Sequence, residues 1–247
     1  MTHRKPLVAA NWKMNGSQAL LAEITALLAS TNWSKIDVLL CPPATLLPGL
    51  AATGQCLIGA QNISQFSSGA YTGELSASLL MEAGAQYVLI GHSERRTLFG
   101  ESDELLAAKM QAAIGHGLTP VFCIGENLQQ RQQEKTEQVL AKQLAAVYAS
   151  HPEFIAKSVI AYEPVWAIGT GEAASPEQAQ QAHASIRQQL ATYDAKAAAA
   201  VRILYGGSVN GKNAAELFAQ QDIDGGLVGG ASLNAEEFFQ ICQSAKG

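Results

Sequence analysis

Residues 159–178 read VIAYEPVWAIGTGEAASPEQ, and their order decides the fold. The apolar run Val159–Glu163 has strand character. Pro164 stops it, because proline lacks a ladder donor and forces extended geometry on the residue before it. A loop follows, and Ser175-Pro176-Glu177-Gln178 then has the form of a capping box with proline at the first helical position. Ala179, Ala182, Ile186, Leu190 and Tyr193 continue at helical spacing. The unit is a strand, a loop and a helix.

Working outward, the same unit recurs along the whole chain. Further short apolar runs lie at Leu7–Asn11, Val38–Cys41, Leu57–Gln61, Tyr87–Gly91, Pro120–Ile124, Arg202–Tyr205 and Gly226–Val228. They are β-branched or continuously apolar, as strands buried on both faces require. Ser17 caps a helical face of Leu20, Ile24, Leu27 and Leu28. Ser102, Asp103 and Glu104 open another, with Leu106, Met110, Ala113 and Ile114 on its apolar side and Gly115 as its expected stop. Eight βα units without a linker or low-complexity break predict an α/β fold, a (β/α)8 TIM barrel of eight parallel strands ringed by helices, as one domain over residues 1–247. An open doubly wound sheet also alternates strand and helix. The number of units and the placement of polar residues favour the barrel.

Composition narrows the function. Of 247 residues 48% are hydrophobic and 15% charged, enough to build a core and too little charge for disorder. The formal net charge of −5 argues against a nucleic-acid surface, and an anionic ligand must be attracted by local groups against the overall field. Cys41, Cys56, Cys123 and Cys242 form no C-x-x-C pair and have no histidine at metal-ligand spacing, so they read as reduced thiols of a cytoplasmic protein. The apolar run Leu7–Ala10 is too short for a signal-peptide core or a membrane span. No metal or cofactor is expected.

The residues leaving the strands are chemically distinctive, whereas those entering read as unremarkable. Asn11 and Lys13, Gln61 and Asn62, His92 with Ser93 and Glu94, Glu126, Glu163, Ser208, and Gly229-Gly230 all follow strands. In a parallel barrel these positions converge on one mouth, where barrel enzymes place their chemistry. A loose G-x-G-x-x-A pattern at Gly169–Ala174 is not a dinucleotide site, because Pro164 and Trp166 precede it and the helix cap comes only at Ser175.

Taken in order, Asn11-Trp12-Lys13, Gly91-His92-Ser93-Glu94-Arg95-Arg96, Ala161–Gly171, Tyr205-Gly206-Gly207-Ser208-Val209 and Gly229-Gly230 resemble the motifs of the triosephosphate isomerase family across the full chain. The resemblance implies interconversion of dihydroxyacetone phosphate and D-glyceraldehyde 3-phosphate through an enediolate. Glu163 would be the base, His92 a neutral electrophile next to a helix N-terminus, Lys13 the electrostatic stabiliser, and Glu94 a secondary carboxylate near Lys13. Asn11 would hold the carbonyl oxygen or position Lys13. Backbone N–H groups at Gly169, Ser208, Gly229 and Gly230 would bind the phosphate, since small-residue turns allow a dianion close approach. Pro164–Ala174 would be a hinged lid, in which Glu172 departs from the basic residue often seen there. The loop Asn62–Glu74, carrying Phe66 and Tyr71, resembles the family's dimer loop and implies a homodimer in which Thr72 reaches the partner's site. His3, His116, His151 and His183 match no catalytic motif and read as structural. The competing readings are another sugar-phosphate barrel enzyme, an aldolase or amino-sugar isomerase, and a non-catalytic phosphate-binding barrel.

Overall fold

The computed structural model describes residues 4–167 and 174–245. Eight parallel strands close into a barrel in sequence order: β1 (Leu7–Asn11), β2 (Asp37–Cys41), β3 (Leu57–Ala60), β4 (Tyr87–Ile90), β5 (Thr119–Ile124), β6 (Val159–Tyr162), β7 (Ile203–Tyr205) and β8 (Gly225–Val228). Leu7 pairs with Asp37 on one side and Gly225 on the other, which closes the ring and excludes the open sheet. Every strand lies within one residue of its sequence-based limits. Where β3, β4 and β6 stop one residue early, Gln61, Gly91 and Glu163 are released onto the rim.

Strand alternation produces two apolar layers. Leu7, Ala9, Leu39, Leu89, Val121, Cys123, Val159, Ala161, Leu204 and Leu227 fill the barrel interior. Their neighbours Val8, Leu40, Val88, Ile90, Phe122, Ile160 and Ile203 pack outward, against Ile24, Leu28, Leu106, Met110, Leu140, Ile186 and Leu190 of the surrounding helices. Both strand faces are therefore dry, which accounts for their continuous apolar character.

The helix starts follow the cap chemistry. Ser17 accepts from Leu20 N–H at the start of helix Gln18–Ala29, and Ser102 from Leu105 N–H at helix Asp103–Gly115. Both halves of the capping box are made at helix Pro176–Ala191. One stop is displaced: Gly115 is the last helical residue, His116 is the cap, and the left-handed turn comes at Gly117 (φ 87°). The positive φ, which glycine alone adopts without strain, sits two residues later than expected.

The strand entrances also differ from expectation. They carry ion pairs: Arg4 to Asp224 (2.6 Å), Lys5 to Asp37 (2.6 Å), Arg202 to Asp37 (2.7 Å) and Arg187 to both Asp222 (2.7 Å) and Asp224 (2.8 Å). These charges satisfy one another around the strand entrances, a structural use. Cys41, Cys123 and Cys242 are buried and Cys56 half-buried, and none of the four is in a disulfide. Burial pushes the Cys56 thiol up to about 12, so it is a poor nucleophile at neutral pH. No helix among the described residues is long and apolar enough to cross a membrane.

His183 is fully buried, its Nδ1–H donating to the Asp222 carbonyl (3.1 Å) and its ring edge-on to that of Tyr162. The backbone carbonyl fixes the proton on Nδ1. Burial drives the imidazole pKa down to about 4. An unfolded histidine at about 6.5 binds a proton that the folded one refuses, so stability is complete above pH 6.5 and lost as pH falls toward 4. The expected loss from pH 8 to pH 5 is about 2 kcal/mol. Urea unfolding at the two pH values should show that slope in the parent and a shallower one in His183→Gln. Equal slopes would remove His183 from the acid sensitivity.

Candidate active site

Glu163 is the first residue beyond β6 and is 2% exposed. Its Oε2 accepts the Ser93 N–H at 2.9 Å, and its Oε1 lies 3.0 Å from His92 Nε2. Two glycines make room for it. A Cβ at Gly125 would overlap the Glu163 carbonyl, and one at Gly206 would stand 2.9 Å from its Cγ. Sequence reading missed both roles, since nothing local to a glycine names the side chain that needs its space.

His92 follows β4 and caps the short helix Ser93–Leu98. The Glu94 N–H donates to its Nδ1 at 3.3 Å, which requires Nδ1 to be unprotonated and leaves Nε2 as the N–H donor pointing into the site. Burial pushes the imidazole pKa down, but the carboxylates of Glu163 and Glu94 outweigh it and the net displacement is upward. The helix N-terminus therefore does not by itself keep this imidazole neutral. The Glu94 N–H on Nδ1 opposes a second proton there, whereas the Glu163 carboxylate beside Nε2 favours the charged form. Arg96 holds the turn, donating to the carbonyls of Gly91 (2.8 Å) and Cys123 (3.2 Å) and pairing with Asp103 (2.7 Å).

Lys13 has a left-handed backbone, φ 53°, an uncommon conformation for such a side chain. Asn11 Oδ1 accepts its N–H at 3.0 Å, and Gln61 Nε2 donates to its carbonyl at 2.8 Å and to that of Cys41 at 2.9 Å. Asn11 therefore positions Lys13. The ammonium pairs with Glu94 at 2.6 Å, and the other Glu94 oxygen lies 3.6 Å from His92 Nδ1.

Asn11, Lys13, His92 and Glu163 share one cavity of about 430 Å³ with Ser208, Gly229 and Gly230. Gly229 lies beside the Lys13 stem, where an added Cβ would be 3.7 Å from Lys13 Cε. Gly169 and Glu172 lie outside the described residues, as does most of the loop 164–174. Its described ends are tied to the barrel. Trp166 Nε1 donates to the wholly buried Glu126 at 3.0 Å, as does Tyr162 OH at 3.1 Å, and Ala174 N–H donates to Tyr205 OH at 3.3 Å. Arg131 stacks over Trp166 at 4.3 Å. Glu126 stands on the rim as its strand-exit position implies, but its role in fixing Trp166 depends on contacts no sequence pattern announces.

A basic anchor, a buried carboxylate and an imidazole donor around one small cavity can take a proton from carbon while stabilising charge on oxygen. No group of His, Cys, Asp or Glu that could hold a metal ion occurs among the described residues.

The family model described as triosephosphate isomerase matches residues 6–245. Curated relatives named triosephosphate isomerase include those of Thiobacillus denitrificans (56% identical over 98% of this chain and 99% of the relative), Pseudomonas entomophila (53%, 98% and 99%) and Pseudoalteromonas translucida (50%, 100% and 99%). The motifs, the closed barrel and these full-length matches agree, and the chain belongs to the triosephosphate isomerase family.

Proposed function

We propose that this chain interconverts dihydroxyacetone phosphate and D-glyceraldehyde 3-phosphate by proton transfer through an enediolate. The observation that carries this reading is the buried pairing of Glu163 with His92 Nε2 at 3.0 Å in the cavity that also holds Lys13. That distance leaves no space for a carbon atom between the two groups, so Glu163 leaves the Ser93 N–H and swings aside when substrate enters. Its carboxylate then removes a proton from the carbon next to the carbonyl, and the C–H electron pair forms the enediolate double bond. His92 donates from Nε2 to the oxygen that gains charge and relays that proton between the two oxygens. Moving Glu163 away from Nε2 also removes the main upward pull on the imidazole pKa, leaving burial to keep it neutral. Glu163 returns its proton to the neighbouring carbon.

Lys13 supplies positive charge to the phosphate and to the developing oxyanion. Ser208, Gly229 and Gly230 offer backbone N–H groups to the phosphate, with Gly169 proposed as a further donor. Pro164–Ala174 is proposed as the lid that keeps water from an enediolate able to expel its phosphate. The test is turnover of glyceraldehyde 3-phosphate in heavy water, with deuterium expected on the carbon next to the carbonyl. Turnover without deuterium incorporation, or no turnover, would sink the reading.

The aldolase alternative needs a desolvated lysine able to form a Schiff base. Lys13 is paired with Glu94. The buried Lys109 is bound to Glu101 at 2.5 Å and Asn62 at 2.7 Å, and lines neither cavity at the mouth.

A homodimer through the loop Asn62–Glu74 is proposed on the apolar surface around it. Phe66 and Tyr71 stack at 4.0 Å, and nearby Met14, Leu98 and Phe99 are 95%, 73% and 67% exposed. A second cavity lies between Met14, Phe99 and residues 73–75, open to a loop tip such as a partner's Thr72. Sedimentation at micromolar concentration should give a dimer. A pure monomer there would refute the association. A cytoplasmic location is proposed on the reduced cysteines.

A further inference from the structure

We infer that Glu237 sets the phosphate affinity of this site by placing a carboxylate on the wall of the cavity that receives the anion. The inference rests on the proposed phosphate site and deepens it. Glu237 lies in the first turn of helix Ala235–Ser244, where Asn234 Oδ1 accepts its N–H at 2.9 Å and fixes the start of the helix. That turn faces the loop after β7. Glu237 Oε1 accepts the Gly211 N–H at 3.5 Å, and Glu237 lines the same cavity as Lys13, Ser208, Gly229 and Gly230.

The charge balance makes the residue notable. Lys13 is the one Lys or Arg among the described residues lining this cavity, and it is paired with Glu94. Glu163 and Glu237 are the acidic residues of the lining. Glu163 has a chemical task. Glu237 does not approach the reacting pair through any hydrogen bond, its neighbour being the turn three residues past Ser208. A half-buried carboxylate facing a bound dianion repels it in substrate and product alike. This is a uniform effect on binding, which raises KM and speeds release instead of altering the proton transfer. Glu236, in the same helical turn, is exposed and does not line the cavity, so it carries the same charge without the same view of the anion.

The test is titration of inorganic phosphate into the parent chain, Glu237→Gln and Glu236→Gln at low ionic strength, alongside steady-state kinetics. Removing one like charge near a dianion should tighten phosphate binding about threefold to tenfold in Glu237→Gln, with most of that gain lost in about 0.5 M salt. KM should fall by a similar factor and kcat should change less. Glu236→Gln should give a much smaller effect. Unchanged phosphate affinity in Glu237→Gln, or an equal gain in Glu236→Gln, would overturn the inference. If the parent bound no phosphate at all, the phosphate site itself would fail and this inference with it. Binding in the parent with no response to Glu237→Gln would leave that site standing.

Discussion

Replacing Glu163 with glutamine should lower kcat by about 10²- to 10⁴-fold while KM changes far less. The amide matches the carboxylate in shape and can still accept the Ser93 N–H that Oε2 accepts at 2.9 Å. It cannot take a proton from carbon at neutral pH. The substitution therefore removes the proposed base and retains most of the packing, including the space left by Gly125 and Gly206. A residual rate is expected, because His92 and Lys13 would still stabilise charge on oxygen. An amide NH₂ also meets the Nε2–H of His92, where the carboxylate had accepted, so the side chain should turn its oxygen toward one donor only. Unfolding curves that match the parent would show that the loss is chemical. A kcat within about fivefold of the parent in a folded variant would remove Glu163 from the mechanism.

The strands and the mouth of the barrel were legible because both depend on short-range pattern. A strand dry on both faces must be apolar throughout, and parallel connection puts all strand exits at one end, so Asn11, His92 and Glu163 converge without any knowledge of contacts. What was not legible depends on distant residues meeting. Gln61 clamps the Lys13 carbonyl across 48 positions, and Trp166 reaches Glu126 across 40. Arg4 and Asp224, 220 positions apart, pair at the strand entrances, where sequence reading expected nothing of note. Gly125 and Gly206 matter only because Glu163 passes beside them. The electrostatics of His92 were half legible: the helix start could be placed, but its burial and the upward pull of Glu163 required a distance.

Replacing Lys13 with alanine should remove on the order of 3 kcal/mol of transition-state stabilisation and also weaken a phosphate-bearing inhibitor. The two losses have one source. Lys13 lies beside the Gly229 turn and lines one cavity with His92 and Glu163, so in the proposed reaction its ammonium would act on the phosphate and on the oxyanion together. Alanine is a suitable probe because it bears the same left-handed backbone strain at φ 53° that lysine bears, and the contacts from Asn11 and Gln61 reach the backbone and not the side chain. Stability should consequently change little through the turn itself. Removal of the cation also leaves Glu94 without its 2.6 Å partner, next to His92 Nδ1, and adds an uncompensated negative charge where an anion must bind. Glu94→Gln in the Lys13→Ala background separates these contributions: recovery of inhibitor affinity would assign part of the loss to the freed carboxylate. If Lys13→Ala bound the inhibitor as tightly as the parent, the phosphate would be held by backbone N–H groups alone, and Lys13 would have no place in its recognition.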